Sequence, residues 1–211
     1  MKPVSRQGSG SKAFRKLISV IILIISISGI SWLFWAQELR YQLPTAVPAN
    51  YREVQPGTPL AVAFPSEHDR KKPVFLHFFN PDCPCSKFNI RHFKELVRTY
   101  GHALDFAIVA MNPGKQYTAE DIQDRFDLNL PVSFDTTLAT TCGVYSTPQA
   151  VIIDQNKLFF RGNYNKNRYC TDPATNYAQM AIDSLLLHKN NLSFGPLAFK
   201  AYGCELPTCN K

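Results

Sequence analysis

Cys83-Pro84-Cys85 sets two thiols one residue apart, just after an apolar run and immediately before a stretch with helical spacing. A helix N-terminus carries partial positive charge and unpaired N–H groups, and both favour thiolate over thiol. The chemistry such residues offer is nucleophilic sulfur chemistry, and Cys83, at the helix start, is the first candidate nucleophile. Two close thiolates also suit Cu(I) or zinc, with His77, His92 or Cys204 as a third ligand, although no His or Cys spacing in the chain forms a recognised metal motif.

The elements that must position this pair can be read from periodicity. Residues 74–79 (VFLHFF) form a continuous apolar run of the kind found in a strand covered on both faces. Downstream, Ile90, Phe93, Val97 and Tyr100 recur at three- and four-residue steps, while Lys87, Arg91, Lys94 and Arg98 fall on another face; Gly101 ends the helix. The basic stripe reads as a solvated helix face. Residues 104–111 predict a second buried strand closed by Asn112-Pro113-Gly114, and residues 118–126 a short helix opened by Thr118 and Asp121 in a capping-box arrangement. A strand pair over 149–153 and 157–161, turned at Asp154-Gln155-Asn156, and a last helix from Asp172 complete an α/β domain with crossover helices.

Residues 17–35 are 19 consecutive uncharged residues, close to the about 20 that cross a bilayer core as helix. Lys2, Arg6, Lys12, Arg15 and Lys16 precede them with no acid, which predicts a cytoplasmic tail and translocation of the rest. Trp32 and Trp35 fit an interfacial belt. A cleaved signal peptide is the alternative, but Ala36-Gln37-Glu38 is a poor cleavage site, which favours an uncleaved anchor. The chain's net charge is +7; setting the five tail cations aside leaves 18 basic against 16 acidic residues, so the high pI is a topology signal and nucleic acid is not an expected partner. All six cysteines follow the span, and in a bacterial inner-membrane protein they would face the periplasm, where disulfides persist. Pro44, Pro48, Pro56 and Pro59 mark an extended linker that would hold a domain off the membrane.

Residues 74–87 (VFLHFFNPDCPCSK) and 142–154 (CGVYSTPQAVIID) resemble the two signature segments of thioredoxin-fold proteins. The form is similar to the redoxin branch, and to membrane-anchored thioredoxin-like proteins with a Cys-Pro-x-Ser motif and a Gly-Cys tail; Cys83-Pro84-Cys85-Ser86 and Gly203-Cys204 match those positions. The resemblance spans roughly residues 57–206. It implies a thioredoxin-like mixed sheet flanked by helices, behind a single transmembrane helix. The implied layout is a basic tail (1–16), an anchor (17–35), a Pro-containing linker (36–56), the thioredoxin-like domain (57–190) and a Cys-containing tail (191–211). It also implies that Thr147-Pro148 is the cis-proline loop facing the cysteines and shaping a groove for an extended peptide.

The implied activity is thiol–disulfide exchange through a mixed disulfide, with protein thiols and disulfides as partners and no cofactor. Cys83 is the nucleophile and Cys85 the nearest resolving thiol; Cys204 is the other resolving thiol if the tail folds back, as the resemblance implies. The family places two residues between its cysteines, whereas here there is one, so a Cys83–Cys85 bond would close a smaller, strained ring, or the two never pair. His77 stands where thioredoxins carry a buried carboxylate. It is either a proton acceptor for the resolving thiol near neutral pH or a hydrogen-bonded core residue. Cys142 reads as a buried structural thiol, and a structural bridge such as Cys170 to Cys204 is the default for the remaining cysteines. A thiol peroxidase is a third function class, but peroxiredoxins resemble a pattern with Thr or Ser three residues before the cysteine, where Cys83 has Asn80 and Cys85 has Asp82. Oligomeric state, substrate and direction of exchange are not encoded in these motifs.

Overall fold

In the computed structural model of the protein, residues 9–39, 43–62, 72–111, 116–167, 169–188 and 194–206 are described. The expected turn Asn112-Pro113-Gly114, Cys209, and Lys2 and Arg6 of the basic tail lie outside the described residues. The chain forms two compact units, Met1–Arg40 and Tyr41–Lys211.

The first unit is helix α1, Ser9–Phe34, continued by a π-helical turn over Trp35–Leu39. Its 26 residues rise about 39 Å at 1.5 Å per residue, more than the about 30 Å hydrocarbon core of a bilayer. None of its most apolar stretch is buried by protein. It is one helix long and apolar enough to cross a membrane.

The second unit is built on a five-stranded sheet in the order β3-β2-β1-β5-β6. The strands are β1 (Val74–Phe79), β2 (Asp105–Ala110), β3 (Val132–Ser133), β5 (Gln149–Asp154) and β6 (Lys157–Gly162). β1 pairs in parallel with β2 and antiparallel with β5, which is why every residue of β1 is buried. Alternation along this central strand feeds two cores. On one face Phe75 and Phe79 join Phe93, Phe106 and Tyr164; on the other Leu76 and Phe78 join Leu138, Val144 and Val151. The β5–β6 turn carries Gln155 and Asn156 at φ 48° and 61°, the left-handed pair expected of a tight hairpin.

Helix α2, Pro84–Tyr100, has Cys83 as N-cap and packs Ile90, Phe93, Leu96 and Tyr100 inward. Helix α3, Ala119–Phe126, opens with the expected capping box between Thr118 and Asp121. Helix α4 is Thr137–Cys142. The last helix, α5, starts at Tyr177 and ends at Leu186 rather than starting at Asp172. Asp172 instead caps a short 3-10 turn, Pro173–Thr175, because Asn165 draws Thr175 and Asn176 into side-chain hydrogen bonds (3.0 and 2.7 Å) that compete with helix. Two further strands of two residues each, β4 (Ser146–Thr147) and β7 (Cys204–Glu205), pair antiparallel with Thr147 opposite Cys204. They are too short to leave a periodic signal. The architecture is the α/β, thioredoxin-like fold that the two signature segments imply.

Residues 43–56 of the expected linker, with residues 57–60 after it, lie along the domain. Thr45 N–H donates to Ala201 O (2.8 Å), Gly57 N–H to Leu158 O (2.7 Å) and Leu60 N–H to Asn156 O (2.8 Å), while the Tyr51 hydroxyl donates to Gly143 O (3.0 Å). Tyr51 N–H and Thr58 N–H turn back on Pro48 O (3.0 Å) and Gln55 O (3.1 Å), while the Thr45, Gly57 and Leu60 amides find acceptors on the domain instead of water. Residues 194–200 of the tail also pack on the fold: Asn163 Nδ2 donates to Leu197 O (2.8 Å) and Lys200 O (2.7 Å), and Phe194 packs on Phe160 and Tyr177.

Candidate active site

The loop from β1 to α2 aims the first cysteine. Asn80 anchors it: its N–H donates to Ser86 Oγ (3.1 Å), its Oδ1 accepts from Asp82 N–H (2.9 Å), and its carbonyl accepts from Cys83 N–H (3.1 Å). Asp82 in turn accepts from the Tyr117 hydroxyl (2.8 Å), tying the loop to the segment before α3. Cys83 then sits in extended conformation at the helix N-cap and Pro84 occupies the first helical position, where a missing N–H costs nothing. The partial positive charge of a 17-residue helix therefore falls on Cys83 and Cys85.

Opposite the helix start stands the cis Thr147-Pro148 peptide, and antiparallel to Thr147 runs Cys204. The tail can come this close because residue 203 is glycine. Its φ is +150°, and a Cβ there would collide with the Thr147 backbone carbonyl. Thr45 closes the same corner, its hydroxyl 3.0 Å from Ser146 Oγ and donating to Gly203 O at 3.2 Å. The result is a disulfide between Cys83 and Cys204, residues 121 apart in sequence, with Cys85 beside it as a thiol. All three sulfur atoms lie within 4.8 Å of one another. They are buried, at 0, 1 and 0% exposure for Cys83, Cys85 and Cys204, so the oxidised pair is shielded from solvent.

The expected Cys170–Cys204 bridge is not formed. Cys204 is taken by Cys83, and the Cys170 thiol donates to Asn89 Oδ1 (3.0 Å), whose amide donates to Cys85 O (3.1 Å). Burial pushes the Cys170 thiol up to about 12. Cys142 is buried in the second core, its thiol likewise pushed up to about 12 by burial. The Cys83–Cys85 ring does not form either. Ser86, Asn80, Asn89 and Thr45 are the positioning residues that sequence reasoning did not assign. Only Ser86 carried a signal, as the last residue of the Cys-Pro-x-Ser match.

His77 lies in the aromatic core. Its ring stacks on Phe93 (centroids 4.2 Å apart) and Phe79 (5.2 Å), and Nδ1 is 2.5 Å from the Tyr164 hydroxyl. Complete burial lowers its pKa to about 3, so it is neutral at physiological pH and a poor proton acceptor there. Its stacking and its contact with Tyr164 favour the hydrogen-bonded core residue over the base near neutrality.

A pH dependence of stability follows. The folded pKa lies below the unfolded value of about 6.5, so between the two the unfolded chain holds the extra proton, and stability is lost as pH falls from about 6.5 toward 3. The limiting slope is about 1.4 kcal/mol per pH unit. His92, also lowered by burial, adds in the same direction. Thermal unfolding between pH 7.5 and 4.5 is expected to show this decline, and His77→Phe to flatten it although losing the Tyr164 contact lowers stability throughout. An unchanged slope in His77→Phe contradicts the assignment.

Comparison with known proteins bears on the family and the fold. The family described as Domain of unknown function (DUF6436) matches residues 52–208. No curated protein matches the chain. Among solved structures, a hypothetical protein from Sinorhizobium meliloti 1021 is 16% identical and superposes with a TM-score of 0.58, covering 74% of this chain and 96% of its own. An uncharacterized conserved protein from Geobacillus kaustophilus is 20% identical, with a TM-score of 0.51 over 68% of this chain and 89% of its own. A candidate thiol:disulfide interchange protein DsbE from Chlorobium tepidum is 19% identical, with a TM-score of 0.49 over 64% of this chain and 99% of its own.

Proposed function

The chain belongs to the family described as Domain of unknown function (DUF6436), and from that premise we propose that it is a membrane-anchored thiol–disulfide oxidoreductase of the bacterial periplasm. The observation that carries the reading is the Cys83–Cys204 disulfide at the N-cap of α2, facing cis Thr147-Pro148. Helix α1 anchors the protein in the inner membrane with its N-terminus in the cytoplasm, and its partners are protein thiols and disulfides.

Cys83 is the nucleophile. As a thiolate it attacks one sulfur of a partner disulfide, forms a mixed disulfide and releases the partner's second thiolate. Cys204 then attacks Cys83 Sγ, closing the Cys83–Cys204 bond and expelling the partner reduced, so two electrons pass from the protein to the substrate; the reverse sequence oxidises a partner dithiol. The helix N-terminus lowers the energy of Cys83 as thiolate in both directions, as attacking and as leaving group. Access requires β7 to leave β4. That pairing involves two residues per strand, whose hydrogen bonds contribute only about 0.5–1.5 kcal/mol each. Thr147 and Pro148 then line the groove for an extended peptide, and Cys85 stands beside the reacting sulfurs.

Full-length Cys204→Ser, mixed with a disulfide-bonded peptide, tests this order of events. It is expected to accumulate a mixed disulfide between Cys83 and the peptide, visible by mass spectrometry after acid quenching, where the wild type accumulates none. Turnover at the wild-type rate without accumulation would assign resolution to Cys85 and overturn the role of Cys204.

A further inference from the structure

Of the three candidate third ligands His77, His92 and Cys204, the fold brings Cys204, 121 residues from Cys83, to the Cys83 and Cys85 sulfurs. All three sulfurs lie within 4.8 Å, near the separation at which one small cation can touch each, and all are buried. Among the described residues no His, Asp or Glu joins this group as a fourth ligand; neither His77 nor His92 belongs to it. Thiolate sulfur selects soft ions, Cu(I) and zinc first. Structural zinc takes four ligands in a tetrahedron, whereas among the described residues this group offers three, all sulfur. The helix N-terminus supports the negative charge that three thiolates would bring.

We infer that the reduced protein binds one Cu(I) through Cys83, Cys85 and Cys204, and that the Cys83–Cys204 disulfide and the copper site exclude one another. Cys85 thereby gains a function independent of disulfide resolution. Bound copper leaves when a disulfide oxidant takes two electrons from the Cys83 and Cys204 thiolates: their S–S bond forms, the oxidant's S–S bond breaks to give two thiolates, Cu(I) departs, and Cys85 takes up a proton. The site requires only the reduced state of the pair and not turnover, so it stands or falls separately from the proposed exchange activity.

The test uses the full-length protein in detergent, anaerobically reduced, with Cu(I) delivered from its bicinchoninate complex. One Cu(I) per chain is expected in the reduced protein and none after oxidation to the Cys83–Cys204 disulfide. Cys85→Ala is expected to lower Cu(I) affinity by more than about 100-fold, since even outer-shell partners of a metal carry 10–100-fold. Formation of the Cys83–Cys204 disulfide on oxidising Cys85→Ala shows that its site is folded. Copper binding that survives oxidation of the wild type, or that Cys85→Ala leaves unchanged, overturns the inference. So does preferential retention of Zn(II) when the reduced protein is offered both ions at equal concentration.

Discussion

Cys83→Ala is expected to lower thiol–disulfide exchange by roughly 10³-fold or more, to the level the other sulfurs can sustain. Those sulfurs are poor substitutes. Cys142 is buried and Cys170 half-buried, and burial pushes both thiols up to about 12, which leaves little thiolate at pH 7. Cys204 has no helix terminus behind it, and Cys85, which shares the first helical turn, sets the residual level. The substitution also removes a cross-link closing 121 residues, which in the chain-entropy picture contributes about 5 kcal/mol. Cys204→Ser loses that same cross-link, so it is the stability-matched control. Insulin reduction by the full-length variants separates chemistry from folding: Cys204→Ser retains the first attack on a disulfide, and Cys83→Ala does not. Exchange in Cys83→Ala within a few-fold of wild type would remove Cys83 as nucleophile.

Gly203→Ala is the second large effect. At φ +150° an alanine is strained by about 1–3 kcal/mol, and its Cβ would meet the Thr147 carbonyl, which belongs to the backbone and cannot swing away. The tail must therefore lift off β4, carrying Cys204 away from Cys83. With the reactive thiols all present, the variant is expected to shift the dithiol–disulfide equilibrium toward the dithiol by about 10- to 100-fold, since 1.4 kcal/mol is tenfold. A glutathione redox titration with alkylation of the reduced form measures this. An unchanged equilibrium would mean that the tail reaches Cys83 without the close approach at residue 203.

The elements that local chemistry dictates were legible in the sequence. The VFLHFF run is the central strand, the Ile90, Phe93 and Tyr100 stripe is the inner face of α2, and Thr118 and Asp121 form their capping box. Thr147-Pro148 was legible through resemblance, and it is cis. What stayed hidden depends on partners far away in the chain. β4 and β7 are two residues each and exist only as a pair. Residues 43–60 have no apolar period, so nothing local distinguishes a spacer from a strap hydrogen-bonded to Gly143, Asn156 and Leu158. His77 changes meaning because Tyr164, 87 residues on, and Phe93 bury it. Cys204 was legible as a rival to Cys85, whereas its separation from Cys170 rests on Asn89, which holds the Cys170 thiol at 3.0 Å.

The central claim is that Cys83 and Cys204 are the redox pair, and disulfide mapping of the full-length wild-type protein tests it most directly. After oxidation, acid quenching, alkylation of remaining thiols and proteolysis, mass spectrometry is expected to find the Cys83 and Cys204 peptides joined, with Cys85 and Cys170 alkylated. A dominant Cys83–Cys85 or Cys170–Cys204 linkage would contradict the account.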